Sequence, residues 1–247
     1  MLVAFFLVLA RTTGLFVSAP VLSRSGVPRR ARVMLVVSIS GALLAAVPTA
    51  QLPADAPAVA GAMVAELAIG MGIGLMSRLL LTAFQLAGEI VAFQMGFALA
   101  NSFDPDAGTT TPAIASIQLG LVTLVFLLVD GHHLLIRALA ASYEAFPLGA
   151  AHDLAEFSAS LMSGATEMYA TGARVSAPVA GLLLLINAMM GFVNRISPQL
   201  SIFNIGFPLA VAGGLLALLA AIPSFVRYFL LEHDQLGGRI LSLIAGP

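Results

Sequence analysis

The chain has 247 residues, a formal net charge of -1, 60% hydrophobic residues and only 9% charged residues, with a mean hydropathy of +1.02. So few charged side chains cannot coat a soluble core of this size, which excludes a water-soluble globule and leaves lipid or other protein as the surroundings of most of the surface. The lack of clustered positive charge excludes a nucleic-acid surface, and the lack of cysteine excludes disulfides, thiolate metal sites and a cysteine nucleophile.

A helix that crosses a hydrocarbon core of roughly 30 Å needs about 20 mostly apolar residues. Met1 to Leu22 is the first such stretch, interrupted by Arg11 and stopped at Pro20. Its first nine residues are apolar with no basic residue ahead of them, so a cleaved signal peptide is not expected and the stretch reads as a retained membrane segment. The loop "SRSGVPRRAR" carries Arg24, Arg29, Arg30 and Arg32, after which Val33 to Val47 resumes the apolar pattern as far as Pro48. The next loop, "PTAQLPADAP", has Asp55 and no Arg. The basic excess therefore assigns the first loop to the cytoplasm and the second to the opposite side.

Ala58 to Ala100 is more than twice the length of one crossing. It must be two segments or one long bent helix, turning near Ser77 and Arg78 or near Gly88 and Glu89. Within it, Gly70 and Gly74 form a GxxxG pair, which lets two helix backbones approach closely. Asp104 before Pro105, with Gly108 soon after, is turn chemistry that ends this apolar run. The polar patch is either a surface loop or a segment lying across a lumen, where irregular backbone is tolerated because it is buried or lines water.

Pro112 to Val129 is a clean apolar candidate, followed by "DGHHLLIR" and a shorter apolar piece ending at Pro147. Gly149 to Thr171, with Asp153, Glu156 and Glu167, reads as a loop with an amphipathic helix at an interface. Arg174 to Val193 and Ile202 to Leu231 are the last two apolar segments, and Pro178, Pro208 and Pro223 are expected to kink them. The sum is an all-α, polytopic membrane-type protein of about six to seven kinked apolar segments, forming one domain over residues 1–247.

Charges inside such segments are costly, so Arg11, Glu66, Arg78 and Glu89 need partners or water. Glu66 and Arg78 lie about 18 Å apart along a continuous helix and cannot pair within it. "DGHH", Asp130 to His133, has ligand chemistry, but adjacent histidines on a helix point about 100° apart and no spaced ligand set accompanies them, so a turn with Gly131 breaking the helix is expected and no metal site. No catalytic motif and no cofactor-binding loop occurs. Met71, Met76, Met95, Met189 and Met190 fit either a deformable seal or ordinary core packing. A proton-coupled small-molecule secondary transporter using Glu66, Arg78 and Glu89 is the alternative function, although the paired repeats common in such proteins are not visible.

The succession of "RTTGLFVSAPVLSRSGVPRRAR", "AGEIVAFQMGFALANSFDP", "GHHLLI" and "APVAGLLLLINAMMGFVNRISPQLSIFNIGFPL" resembles the FliR family, the membrane subunits of the flagellar type III export gate, whose counterpart in virulence secretion systems is SctT. The likeness runs from about Leu9 to Phe229. It implies a non-enzymatic structural pore subunit, packed as helical hairpins with FliP-like and FliQ-like subunits in a hetero-oligomeric pore complex. That complex belongs to the flagellar basal body in the bacterial inner membrane, in contact with lipid and with FlhB-like and FlhA-like proteins. Unfolded flagellar export substrates pass through it, and no cofactor is implied.

In this family the segment matching Met95 to Thr111 is a plug that fills the pore at rest. Gln94, Met95 and Gly96 match the family's "QMG", and Asp104 with Pro105 match its "DP". The implied plug residues are Met95, Gly96, Phe97, Ala98, Leu99, Ala100, Asn101, Ser102, Phe103, Asp104 and Pro105. Leu99 and Ser102 stand where the family pattern is more aromatic, which leaves Phe97 and Phe103 as the rings. Such a stopper must exclude water yet swing aside, and small residues with a turn-rich hinge suit that task.

Overall fold

The computed structural model describes residues 1–22, 28–45, 47, 52–53, 55–97, 112–149, 154–196 and 205–245. Among these residues the regular elements are all helical: α1 (Leu2–Ser18), α2 (Arg29–Leu44), α3 (Ala56–Gln94), α4 (Ala113–Leu128), α5 (Gly131–Ala145), α6 (Leu154–Ile196) and α7 (Phe207–Ala245). The all-α expectation holds, but the number of spans is smaller than the sequence pattern predicts. Among the described residues, only α3, α6 and α7 are long and apolar enough to cross a membrane alone, and α4 with α5 makes a fourth candidate, bent by 64°. α1, with 17 residues, is only about 26 Å long, and α2, with 16, opens on Arg29, Arg30 and Arg32.

Two boundaries differ for identifiable reasons. α3 does not turn at either expected place and runs unbroken for 39 residues. Ser77 stays helical by donating its hydroxyl to the Gly74 carbonyl at 2.7 Å. Gly88 is a packing residue, since a Cβ there would lie 2.8 Å from Ala115 Cα. The stretch expected as a loop after Gly149 is helical from Leu154 onward and continuous with the following apolar segment, giving the 43 residues of α6. Phe157 is buried while Glu167 is exposed, so the amphipathic character stands although the loop does not. Finally, α6 continues through Pro178 and α7 through Pro223. Each proline lacks the N–H that the carbonyl four residues earlier, at Arg174 and Leu219, would otherwise receive. Pro208 is the second residue of α7, where a missing donor costs nothing.

The chain divides into two compact units, one of Met1–Leu80, Phe126–Thr166 and Glu232–Pro247, the other of Leu81–Val125 and Glu167–Leu231. In the first, α1 packs on α2 and crosses the first half of α3 through glycines. A side chain at Gly14 would collide with the backbone of Leu67 and Met71, one at Gly70 with the Arg11 carbonyl, and one at Gly74 with Ser18 and the Leu15 carbonyl. The predicted GxxxG pair is therefore a backbone contact surface. Leu7, Leu15, Ile69, Ile73, Leu135 and Leu139 are buried in the same unit. In the second unit, Phe84 meets Phe229 edge to face at 5.4 Å, and Val91, Val122 and Leu183 are buried on α3, α4 and α6.

Candidate functional site

The residues implied as the plug begin where α3 ends, in the second unit. Met95 and Gly96 still donate backwards, to the carbonyls of Val91 and Phe93, both at 3.0 Å. Gly96 then takes φ +87°, the left-handed conformation that terminates helices and that only glycine adopts without strain. The last carbonyl of α3, on Gln94, accepts from Asn187 Nδ2 of α6 at 3.2 Å. Met95 is 1% exposed and lies where a Cβ on Gly214 would come within 2.8 Å of its thioether. Phe97 stands edge to face with Phe207 of α7 at 6.3 Å. Met95, Gly96 and Phe97 thus form a fixed root. Ala98, Leu99, Ala100, Asn101, Ser102, Phe103, Asp104 and Pro105 lie outside the described residues.

The four charges expected within apolar segments separate into different situations. Arg11, on α1, is 0% exposed and Glu66, on α3, is 1% exposed. Arg11 Nε donates to Glu66 Oε2 at 2.5 Å, one terminal nitrogen donates to Ser142 Oγ at 2.9 Å and the other to the Phe146 carbonyl at 2.9 Å. Glu66 Oε1 accepts from the Gly149 amide at 3.3 Å. The guanidinium also lies over the Tyr143 ring, 4.1 Å from its centroid, a cation–π arrangement. Every part of the pair has a partner, which is the condition for a buried ion pair to be tolerated. Arg78 is exposed further along α3 and is not brought to Glu66. Glu89 is half-buried and accepts from Gln85 Nε2, one turn earlier, at 2.9 Å.

At "DGHH" the turn exists, but Asp130 makes it: its φ is +56°, and Gly131 opens α5 instead of breaking it. Glycine is needed at 131 because a Cβ would enter the Phe126 ring. The two histidine rings do not diverge as helical neighbours would; their centroids are 4.2 Å apart. Ligand-type atoms of Asp130, His132 and His133 lie within 4.8 Å of one another, and His133 Nδ1 sits 3.1 Å from Asp130 Oδ1. Both of these groups are largely exposed, and their mutual contact accounts for the geometry.

Sequence reasoning missed Ser142, Tyr143 and the Phe146 and Gly149 backbone groups as partners of the buried pair. A Ser or Tyr in an apolar run carries no signal of what it faces. Gly214 and Phe207, which hold the root of the implied plug, were equally silent.

The chain matches the sequence profile of the bacterial export proteins, family 1, over residues 2–236. It is 32% identical to the flagellar biosynthetic protein FliR of Escherichia coli K12 over 98% of this chain and 91% of the relative. The protein of the same name from Pectobacterium carotovorum is 31% identical over 98% and 94%, and that from Bacillus subtilis is 29% identical over 89% and 86%.

Proposed function

The chain belongs to the bacterial export proteins, family 1, as a FliR-type membrane component of the flagellar export apparatus, and from this premise we propose that it is a structural pore subunit of the type III export gate. In this reading it acts as one domain over residues 1–247, without catalysis or cofactor. It assembles with FliP-like and FliQ-like subunits in the bacterial inner membrane, at the flagellar basal body. FlhB-like and FlhA-like proteins adjoin the gate, and unfolded flagellar proteins thread the channel past the plug formed by residues 95–105.

The observation that best supports this is the exposed face of α6 in the second unit. Leu184 is 65% exposed, Leu185 61% and Phe192 71%. Gly181 and Gly191, on the same helix, have open space where a side chain would stand, and Ala188 between them is exposed. Apolar flanks around small residues are what a neighbouring helix needs in order to approach closely in a membrane. Deleting the gene tests the reading: cells should lose filaments and swarming, and a plasmid copy should restore both. Normal flagella in the deletion strain would refute it.

A further inference from the structure

We propose that the cavity at the carboxyl end of α3 is a socket for a Lys or Arg side chain carried by a neighbouring subunit of the gate. The inference rests on the assembly reading above and adds to it the site and the chemistry of one contact. The cavity, about 560 Å3 and open on one side, is lined by Glu89, Ile90, Phe93, Gln94, Leu184 and Asn187, all in the second unit.

Two of its polar groups, the Glu89 carboxylate and the Gln94 amide oxygen, are acceptors with room for donors. Glu89 receives one hydrogen bond, from Gln85 Nε2, and among the described residues no cation lies in ion-pair contact with it. Gln94 Oε1 is buried and has no hydrogen-bond partner. Asn187 directs one Nδ2 hydrogen to the Gln94 carbonyl, and its Oδ1 is a further acceptor. A buried amide oxygen without a donor and a carboxylate beside apolar surface are both costly, so the occupied state of this cavity must bring positive charge and N–H groups.

The rim selects among possible occupants. Phe93 is 71% exposed and Leu184 65%, and they border the same cavity as Glu89. Lipid tails would cover the rim but offer no donor. A small hydrated cation would satisfy the acceptors but leave the rim bare. A basic side chain does both, because its aliphatic stem lies along apolar surface while its head reaches the oxygens. A guanidinium, with five N–H groups in a fixed fork, fits a carboxylate and a neighbouring amide oxygen especially well.

The test uses the full-length chain, tagged and co-expressed with the FliP-like and FliQ-like subunits, and purified in mild detergent. Native mass spectrometry follows partner loss on serial dilution. Glu89→Asp should hold its partners like wild type. Glu89→Gln and Glu89→Arg should release one partner type at a concentration about thirtyfold higher, as loss of one side of a buried interfacial charge pair predicts. Among charge-reversed variants of the basic residues in that partner's apolar segments, one should restore the Glu89→Arg complex.

Partners that bind wild type and Glu89→Arg alike would overturn the socket while leaving the assembly reading intact. Loss that follows sodium concentration and is rescued by no partner variant would identify a free cation instead and also overturn it. An isolated Glu89→Gln subunit that aggregates where isolated wild type does not would assign Glu89 to the fold. A wild-type chain that brings down neither partner would overturn both readings together.

Discussion

Arg11 and Glu66 are the side chains whose environment leaves least freedom. All three guanidinium nitrogens and both carboxylate oxygens are engaged, with both side chains buried. A proton relay needs a group that exchanges its proton with a pathway, and Glu66 is instead locked against a permanent cation, which argues for a clamp over a transporter's working residue. Removing one member of such a pair strands the other, at a cost of about 3–5 kcal/mol, whereas replacing both by apolar residues of similar volume is often close to neutral. Glu66→Leu should therefore lower the thermal unfolding midpoint in detergent sharply, and Arg11→Met with Glu66→Leu should recover most of the loss. A double variant as unstable as the two single effects summed would show that the pair does not act as a unit. The sequence announced that both charges need partners, because charge in an apolar run is conspicuous. That they are each other's partners, 55 positions apart, depends on the crossing of α1 and α3, to which no local pattern points.

At the scale of elements, that crossing is the best example of a feature legible in advance. Gly70 and Gly74 marked a close approach, and the structure places the backbone of α1 against both. Gly70→Val would put a Cβ bearing two methyl groups where the Arg11 carbonyl stands, so α1 would have to lift away and the Arg11–Glu66 contact would open. Gly61, on the same helix but in open space, is the control: Gly61→Ala should be neutral or stabilising by about 0.5–1 kcal/mol, from helix propensity alone. Limited proteolysis should release α1 from the Gly70→Val protein and not from the Gly61→Ala protein; equal susceptibility would show that the glycine contact does not hold the pair. Helix lengths were less legible. Hydropathy treats Ser77, Arg78, Glu167 and Pro178 as interruptions, yet a serine can bond its own helix, an exposed charge sits on the far side of an amphipathic one, and a proline costs only local hydrogen bonds when the neighbouring turns remain apolar. Counting spans from such marks therefore divides long helices into too many pieces.

At the scale of the whole molecule, the question is whether the segment after α3 is held as a movable stopper or merely connects two helices. The root argues for the stopper. A passive linker does not require a buried methionine, a side-chain cap on the last carbonyl and an aromatic contact within four residues, whereas a part that must return to one position after displacement is served by such an anchor. The anchor ends at Phe97, and "FDPDAG" beyond it is turn chemistry in the sequence. Deleting residues 96–104 would keep Met95 and the Asn187 cap, so α3 should fold as before while the obstruction is lost together with the Gly96 and Phe97 part of its root. Cells that express this variant with the other gate subunits should then show raised membrane conductance to small ions and slowed growth at high external sodium, while Met95→Ala, which loosens the root but leaves the segment present, should give a smaller leak of the same kind. Conductance unchanged by the deletion, in a complex that still assembles, would mean that the pore is sealed elsewhere and that the residues from Gly96 onward are only a connection.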